Sequence, residues 1–249
     1  MSKSVLITGA GSGFGKLTAL MLSERGHHVI ATTESEEQAS RLAESAPQLT
    51  VEKLDITTRD VEKVRDWEID VLIDNAGVGE NGPLAHVPLG RLRHLFDVNV
   101  FGTLAITQEV LKGMVAKGRG RVIIMSSVAG VMTFPVFGPY AMTKFALEAM
   151  GKTFRAELAP LGVDVTMINP GPFQTGFNDR MADSMWEWFD ARASSDSATE
   201  ILRGVTDLVK QDQLDPADVA RKLVELVEAE TTEENNFVPA EVREQFDLA

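Results

Sequence analysis

The only tyrosine of the chain, Tyr140, stands four residues before Lys144. Pro139 favours a helix that begins here, because its fixed φ suits the first helical turn. Residues i and i+4 share one face of a helix, so the phenol and the ammonium point the same way. A cation beside a phenol favours the phenolate, and we expect Lys144 to lower the pKa of Tyr140 from its usual value of about 10. The pair therefore predicts a group that exchanges a proton near neutral pH.

A glycine-rich turn lies near the amino terminus. The apolar run 5–7 is followed by TGAGSGFG at residues 8–15 and then by an apolar helical stretch. A strand, a glycine turn and a helix form the phosphate-binding start of a dinucleotide fold, with the pyrophosphate at the helix N-terminus. Glycines here permit a tight turn, close approach of the backbone to phosphate, and close packing of helix on strand. The predicted cofactor contacts of this turn are Gly9, Ser12, Gly13, Phe14 and Gly15.

Taken together, TGxxxGxG near the start and YxxxK near residue 140 resemble the motifs of the short-chain dehydrogenase/reductase family. The resemblance covers residues 3–175, and it implies hydride transfer between a nicotinamide cofactor and an alcohol or ketone. Residues 74–77, with the sequence DNAG, resemble the family's NNAG motif, and NPG at 169–171 resembles its PG motif. By this resemblance the catalytic residues are Asn99, Ser127, Tyr140 and Lys144.

The resemblance also implies a role for each catalytic residue. Tyr140 exchanges a proton with the substrate oxygen, and Ser127 hydrogen-bonds that oxygen. Lys144 lowers the pKa of the tyrosine and binds the nicotinamide ribose, while Asn99 holds a water that connects Lys144 to solvent. The further cofactor contacts implied by the family motifs are Thr33, Glu34, Asp55, Ile56, Asn75, Ala76, Gly77, Pro170, Gly171, Phe173 and Thr175, together with Tyr140 and Lys144.

The choice between NAD and NADP depends on the loop after the second predicted strand. Family members that use NAD often carry an acid at the position of Thr33, and those that use NADP often carry arginine at the position of Glu34. This chain has neither, but it has three carboxylates at residues 34–37 and no cation between Ala31 and Ser40. A 2′-phosphate facing Glu34 would be repelled, whereas a ribose hydroxyl could donate to it. NAD is therefore predicted over NADP, with a solvated loop charge as the alternative for Glu34.

Aromatic and methionine side chains are concentrated after the PG motif. Seven of them fall between residues 173 and 189, and a segment at this position would form a lid over the nicotinamide at about residues 172–213. Such side chains suit an apolar or aromatic substrate, although they could instead pack the scaffold or a subunit contact. The predicted substrate contacts are Val128, Phe134, Phe137, Met185, Trp186 and Phe189.

Strand-like and helix-like segments alternate along the chain. Apolar strands are predicted at 5–7, 28–32, 50–54, 71–73, 122–125, 163–168 and 236–238, and helices at 36–44, 60–67, 88–117 and 139–159. This alternation indicates an α/β fold with a doubly wound parallel sheet of the Rossmann type, covered on both faces, in a single domain 1–249. Two features depart from the family: Asp74 replaces an asparagine and is expected to accept nearby N–H bonds, and the short segment 55–75 implies a clipped third helix.

Composition narrows the setting. The chain has 249 residues, a net charge of −13 and no cysteine, which argues against nucleic acid or an anionic membrane as partner and excludes disulfides. Without a membrane-spanning run or signal peptide, a cytoplasmic enzyme is expected. His86 and His94 lack metal-ligand spacing, so no metal is predicted. The apolar residues of the helix after Pro139 exceed what one sheet face needs and predict a homodimer or homotetramer: Phe145, Leu147, Ala149, Met150 and Phe154.

Two other functions stay open. A non-catalytic nucleotide-sensing protein of the same fold would keep the glycine loop, but it has no need of Ser127, Tyr140 and Lys144 together. A β-ketoacyl-carrier-protein reductase would be expected to prefer NADP and to offer basic residues to an acidic carrier. The acidic balance and Glu34 disfavour that activity. Within the family, the sequence GVDV at 162–165 and the lid resemble the branch that acts on hydroxysteroids, retinoids and other apolar secondary alcohols.

Overall fold

Seven short apolar segments form one parallel sheet. A computed structural model describes residues 2–190, 196–208 and 210–245 of the chain. The strands are β1 Ser4–Ile7, β2 His28–Thr33, β3 Thr50–Lys53, β4 Val71–Asp74, β5 Gly120–Met125, β6 Val163–Pro170 and β7 Asn235–Val238. The helices are α1 Gly13–Glu24, α2 Glu36–Ser45, α3 Leu89–Phe96, α4 Thr103–Lys117, α5 Gly138–Leu158, α6 Phe177–Ser184, α7 Asp196–Leu208, α8 Ala217–Glu228 and α9 Glu241–Gln245.

The strand order places the amino-terminal turn at the middle of the sheet. The order is β3-β2-β1-β4-β5-β6-β7, and all neighbouring strands are parallel. The direction of winding reverses between β1 and β4, and ligands of such sheets bind at the carboxyl ends of the strands next to this point. The predicted Rossmann-type single domain is confirmed.

Each face of the sheet buries its own apolar layer, because successive strand residues point to opposite faces. Val5 and Ile7 pack in a layer with residues of α1 and α8, such as Leu22 and Leu223. Leu6, between them, packs in the opposite layer with residues of α4 and α5. Continuous apolar strands are what a sheet covered on both faces requires. Within the described ranges, every helix is too short or too polar to cross a lipid bilayer.

The predicted helices differ from the observed ones in two places. The predicted helix 60–67 is a 3₁₀ helix at Arg59–Asp66, which still packs Val61 and Val64 on the core. The predicted helix 88–117 is divided by a turn of π-helix, Asp97–Gly102, between α3 and α4. The spacing of apolar residues in the 3₁₀ helix and in the π-helical turn is close to that of an α-helix, so the sequence pattern does not distinguish them from an α-helix.

Asp74 does not behave as the sequence predicted. Its carboxylate is buried at the end of β4, where Oδ2 accepts a hydrogen bond from Thr107 Oγ1 at 2.7 Å. Its Oδ1 has no hydrogen-bond partner within the part of the chain that the structure describes, and N–H donors are not its partners. Burial therefore raises the pKa of Asp74 to about 7, and the bond from Thr107 opposes this only in part.

Candidate active site

The tyrosine and the lysine lie in the first two turns of α5, over the carboxyl ends of the central strands. Pro139 occupies the first turn of this helix, as predicted. Tyr140 is 7 % exposed and Lys144 5 % exposed, so both polar groups are held away from bulk water. The ammonium Nζ lies 5.5 Å from the centroid of the phenol ring. The spacing of four residues therefore brings the pair together in a buried site.

Among the described residues, one hydrogen-bond acceptor fixes the Lys144 ammonium. The ammonium donates to the carbonyl oxygen of Met125, at the end of β5, at 2.7 Å. An ammonium carries three donors, so further protons remain for the hydroxyls of a bound ribose. Burial lowers the pKa of Lys144 to about 8, although the negative charge of Glu148 acts in the opposite direction.

The expected lowering of the pKa of Tyr140 by Lys144 is wrong for this structure. Burial raises that pKa above its ordinary value, and only a hydrogen bond with Ser127 opposes the increase. The physical reason is that the ammonium lies over the ring and bonds to Met125, whereas the phenol loses its hydration. Tyr140 is consequently a neutral proton donor at neutral pH.

Ser127 follows β5 and begins a short 3₁₀ turn, Val128–Gly130. Its Oγ accepts the N–H of Ala129 at 3.1 Å and donates to the carbonyl of Pro170 at 3.4 Å. The second bond is long, and the same hydroxyl also interacts with Tyr140. Ser127 is thus close enough to the phenol to bind the same substrate oxygen.

Asn99 lies inside the π-helical turn between α3 and α4, and such turns often occur at functional sites. Its amide is fully engaged: Oδ1 accepts the N–H of Val78 at 2.9 Å, and Nδ2 donates to the Val78 carbonyl and to Thr143 Oγ1. The side chain therefore ties the loop after β4 to α5. Its predicted role in holding a water stays a prediction.

The glycine turn is stabilised by the loop after β4. Gly9 has a left-handed φ of 65°, and a Cβ there would lie 2.7 Å from the Ala76 backbone. Thr8 Oγ1 accepts the N–H groups of Asn75 and Ala76, both at 3.0 Å. The Asn75 amide in turn donates to the carbonyls of Thr8 and Gly9. Gly77 follows in this loop, so the predicted residues of both motifs meet at the switch between β1 and β4.

The start of α1 fits a pyrophosphate. Gly13 has a φ of 52°, and a Cβ there would touch Thr175 at 3.3 Å. No acidic residue lies in the first turn of α1, and the Ser12 side chain makes no capping bond within the described structure. The N–H groups of this helix end are thus left for an anionic ligand, as phosphate sites at helix N-termini require.

The adenosine corner contains the acidic loop. Thr33 is buried and its hydroxyl donates to the Ser35 carbonyl, while the exposed Glu34 accepts from Gln38 Nε2 at 2.9 Å. Asp55 Oδ1 accepts from the N–H and the hydroxyl of Thr57. The side chain of Ile56 packs in the core below the π-helical turn, so only its backbone is available to a cofactor.

The residues predicted near the nicotinamide follow β6. The Gly171 N–H donates to the Val238 carbonyl at 2.9 Å, which fixes the turn after Pro170. Phe173 is fully buried, and its ring centroid lies 5.6 Å from that of Phe14 in the glycine turn. Thr175 Oγ1 accepts the Phe177 N–H near the start of α6. These contacts bring the PG motif against the pyrophosphate end of the site.

Apart from Phe137, the apolar wall beside Tyr140 is formed by side chains that the sequence analysis did not select as substrate contacts. The Phe177 ring centroid lies 5.7 Å from that of Tyr140. Met181, Ala129 and Ala141 complete the buried cluster around the phenol. Phe177 and Met181 both lie in the aromatic segment, four residues apart. This spacing places both on one helical face, and it is the signal in the sequence that could have identified them as wall residues.

The six predicted substrate contacts divide into two groups. Phe137 packs on the Tyr140 cluster and lies 6.3 Å from Phe134 between ring centroids, while Val128 directly follows Ser127. Met185, Trp186 and Phe189 instead lie in and after a 3₁₀ turn, Met185–Glu187, whose aromatic rings pack on one another and on His86. Trp186 is also covered by the Arg203 guanidinium at 5.3 Å. This second group does not share the cluster around Tyr140.

No metal centre accompanies the site in the part of the chain that the structure describes, since no three His, Cys, Asp or Glu side chains are grouped there as ligands. The arrangement therefore consists of a glycine turn that fits a phosphate, a buried phenol beside a second hydroxyl, and an apolar wall. A family model described as short chain dehydrogenase matches residues 3–186. The chain belongs to the short-chain dehydrogenase family. Members of this family are oxidoreductases that bind a nicotinamide cofactor.

Relatives of this short-chain dehydrogenase have varied names. An uncharacterized oxidoreductase of Bacillus subtilis, YusZ, is 31 % identical over 90 % of this chain and 84 % of its own length. The NADPH-dependent 3-dehydrocapnine reductase of Ornithobacterium rhinotracheale is 36 % identical over 68 % of this chain and 65 % of its own. Human 17-beta-hydroxysteroid dehydrogenase type 1 is 35 % identical over 75 % and 61 % respectively. A solved short-chain dehydrogenase from Streptomyces avermitilis covers 100 % of this chain and 93 % of its own at 27 % identity, with a TM-score of 0.82.

Proposed function

We propose that this protein is an NAD-dependent dehydrogenase/ketoreductase that acts on an apolar or aromatic secondary alcohol and its ketone. The observation that carries the proposal is the pair of hydroxyls on the buried Tyr140 and the half-buried Ser127, with an ammonium on one side and an apolar wall on the other. A non-catalytic nucleotide-binding protein has no use for a proton donor at this position.

The reaction is written for ketone reduction, the direction that a protonated phenol suits. The glycine turn and Lys144 would hold a reduced nicotinamide cofactor, which would supply the hydride to the carbonyl carbon. Ser127 donates a hydrogen bond to the carbonyl oxygen, and Tyr140 transfers its phenolic proton to that oxygen as negative charge develops there. Lys144 presents a cation to the phenolate left behind, with Nζ 5.5 Å from the ring centroid, and this attraction is smaller than the effect of burial on the pKa of Tyr140. Proton return to Tyr140 from solvent completes the cycle.

The preference for NAD over NADP rests on charge at the adenosine corner. Glu34 lies exposed at the end of β2, where a carboxylate repels a 2′-phosphate and accepts from a ribose hydroxyl. One relative is named for NADPH, so the assignment needs its own test. In Glu34→Arg we expect the ratio of kcat/KM values to move toward NADPH, because arginine can pair bidentately with phosphate. A wild type that already prefers NADPH would overturn the NAD assignment.

An apolar substrate is supported by the composition of the wall beside Tyr140. Phe177, Met181 and Phe137 surround the phenol, and an aromatic and thioether lining suits apolar ligands of varied shape. One relative is a hydroxysteroid dehydrogenase, and a hydroxysteroid has an apolar ring system. The lid at about residues 172–213 would exclude water from this wall, although residues 191–195 and 209 lie outside the described structure.

The deciding experiment is a ketone and alcohol panel measured with both nicotinamides. Oxidation of the reduced cofactor with bulky apolar ketones, and much less with short polar ones, is the expected result. Activity restricted to carrier-protein thioesters with NADPH would identify a β-ketoacyl-carrier-protein reductase instead. Nucleotide binding without turnover of any substrate would favour the sensing protein.

A homodimer or homotetramer is part of the proposal. Leu147, Met150 and Phe154 pack on the chain's own core, so only part of the apolar surplus predicted on α5 is available. Phe145 remains 45 % exposed there, and Phe101 in the neighbouring π-helical turn is 58 % exposed. Exposed aromatic residues on adjacent elements favour a contact between copies. Sedimentation that finds a monomer at micromolar concentration would contradict it.

The cytoplasmic location stays a prediction.

A further inference from the structure

A buried carboxylate lies one helical turn behind Lys144. Glu148 is on the same face of α5 and only 5 % exposed. None of the proton movements of the proposed reaction involves it. A buried charge is costly unless it is paired and hydrogen-bonded, so the surroundings of this side chain indicate what it does.

Three side-chain donors converge on Glu148. Ser126 Oγ donates to Oε1 at 2.5 Å, and Asn169 Nδ2 donates to the same oxygen at 2.6 Å. Asn235 Nδ2 donates to Oε2 at 2.7 Å. An ionised carboxylate only accepts hydrogen bonds, and a set made of donors matches that state.

The donors come from the ends of three neighbouring strands. Ser126 precedes Ser127 after β5, Asn169 precedes Pro170 in β6, and Asn235 begins β7. Asn169 Nδ2 also donates to the Ser127 carbonyl at 3.2 Å, and Asn235 Nδ2 donates to Asn169 Oδ1 at 3.1 Å. Through Asn169, the carboxylate thus joins the backbone of Ser127 to the end of β6, where the PG motif begins.

The same carboxylate is the counter-charge of Lys144. From α5, Tyr140 and Glu148 are the titratable groups that face the lysine. From β5 the Met125 carbonyl faces it, and β6 and β7 contribute the neutral amides bound to Glu148. Among the described residues, Glu148 is the one charged group that acts on the Lys144 ammonium, and it opposes the loss of its proton.

We propose that Glu148 is a positioning residue, which keeps Lys144 charged beside Tyr140 and holds Ser127 at its distance from the phenol. The consequence for catalysis rests on the proposed ketone reduction, whereas the effect of Glu148 on the charge of Lys144 does not depend on it. Burial alone would discharge a lysine near physiological pH, and the buried carboxylate counteracts that. The three donors then prevent the carboxylate from moving to contact the ammonium directly.

The single tyrosine provides a readout that needs no turnover. Because Lys144 Nζ lies 5.5 Å from the Tyr140 ring centroid, loss of the ammonium charge changes the NMR shift of that ring. Isotope-labelled tyrosine gives one ring signal, since the chain has one tyrosine. A pH titration of this signal should show an inflection near the pKa of Lys144, about 8.

Glu148→Gln removes the charge with little change of volume, and Glu148→Asp retains the charge as the matched control. In the glutamine variant the inflection should move to lower pH by about one unit, because an opposite charge no longer favours the ammonium. The alkaline limb of kcat for ketone reduction should move with it. In the aspartate variant the inflection should stay near its wild-type pH. An inflection that does not move in Glu148→Gln overturns the electrostatic role.

Ser126→Ala tests the positioning role separately, because it removes one donor and leaves the charge. We expect a lower kcat with an unchanged KM and an unchanged inflection, and wild-type kcat would overturn the positioning role. If Glu148→Gln does not fold, Glu148→Ser replaces it: this variant also removes the charge, so the inflection should move to lower pH, and an unmoved one counts against the proposal. A wild type that reduces no ketone overturns the proposed function, while the tyrosine titration still decides the role of Glu148.

Discussion

The strand ends near Tyr140 and the segment after β6 that we propose as a lid are held together by different forces. At the ends of β5, β6 and β7, one hydroxyl and two amides converge on Glu148, and each donates a defined hydrogen bond. In the lid, aromatic and methionine side chains pack with little directional bonding. The difference separates two requirements: proton transfer needs fixed distances, whereas an apolar substrate needs a shape that can adapt.

Several hydrogen bonds attach the lid to the loop after β4. Glu80 is buried there and accepts from Trp188 Nε1 and from Arg91 Nη1, both at 3.1 Å. Arg91 also donates to Glu187 at 2.8 Å, and the Asn81 N–H donates to Ser184 Oγ. The lid is therefore anchored by the same loop that supports the glycine turn.

The largest effect is expected at the proton donor. Tyr140→Phe retains the ring and removes only the phenolic hydroxyl, so turnover should fall by about 10²–10⁴ while cofactor affinity stays near normal. Single-turnover rates and cofactor titration measure the two quantities. A variant that keeps more than about a tenth of the wild-type rate would remove Tyr140 from the mechanism.

The next prediction concerns the stability of the strand ends. Because the pKa of Asp74 is raised to about 7, its protonated form stabilises the fold at low pH, and this contribution is lost as pH rises through 7. At pH 8 the free energy of unfolding of Asp74→Asn should therefore exceed that of the wild type by up to about 4 kcal/mol. At pH 4 the two free energies should differ little. Denaturant unfolding at both pH values is the measurement. An equal difference at both would mean that the carboxyl does not titrate in this range.

Two aromatic variants compare the part of the lid near Tyr140 with the part remote from it. Phe177→Ala removes a ring 5.7 Å from that of Tyr140, and the loss of about 2–3 kcal/mol of apolar contact should raise KM for bulky ketones up to about a hundredfold. Trp186→Ala removes a ring that packs on Phe189 and Arg203, and its effect on KM should be smaller. The reverse ranking would support the original prediction that Trp186 contacts the substrate.

The smallest effects are expected at the anchor of the lid. Glu80→Ala leaves the Trp188 N–H without its acceptor, and should destabilise the closed lid by about 1–3 kcal/mol. Glu187→Gln is the control, because its contact with Arg91 is exposed and worth about 0–1 kcal/mol. Hydrogen exchange of the lid measures both. Equal exchange in the two variants would show that packing alone closes the lid.

The sequence predicted the chemistry better than it predicted the surroundings of that chemistry. Tyr140 and Lys144 lie on one helix, and the glycine turn joins adjacent elements, so local spacing was enough to identify them. Phe177 and Trp186 are both aromatic and both lie in the segment after β6. Only the path of the chain after β6 decides which of them contacts Tyr140. Glu148 was missed although it continues the spacing of four residues, because its partners come from three strands distant in sequence. The burial that raises the pKa of Tyr140 is likewise a property of the assembled site.

The bonds between Thr8 and the loop after β4 have a consequence for folding. Thr8 Oγ1 and the Asn75 N–H are 67 residues apart in the chain, so the glycine turn is complete only when a much later segment has joined it. During synthesis the glycine turn emerges first, but its hydrogen bonds form only after β4 has been made and has paired with β1. A ligand that binds only the folded state stabilises it by mass action. The nucleotide site therefore exists only after β1 and β4 have paired. A bound cofactor in turn stabilises the association of the glycine turn with the loop after β4.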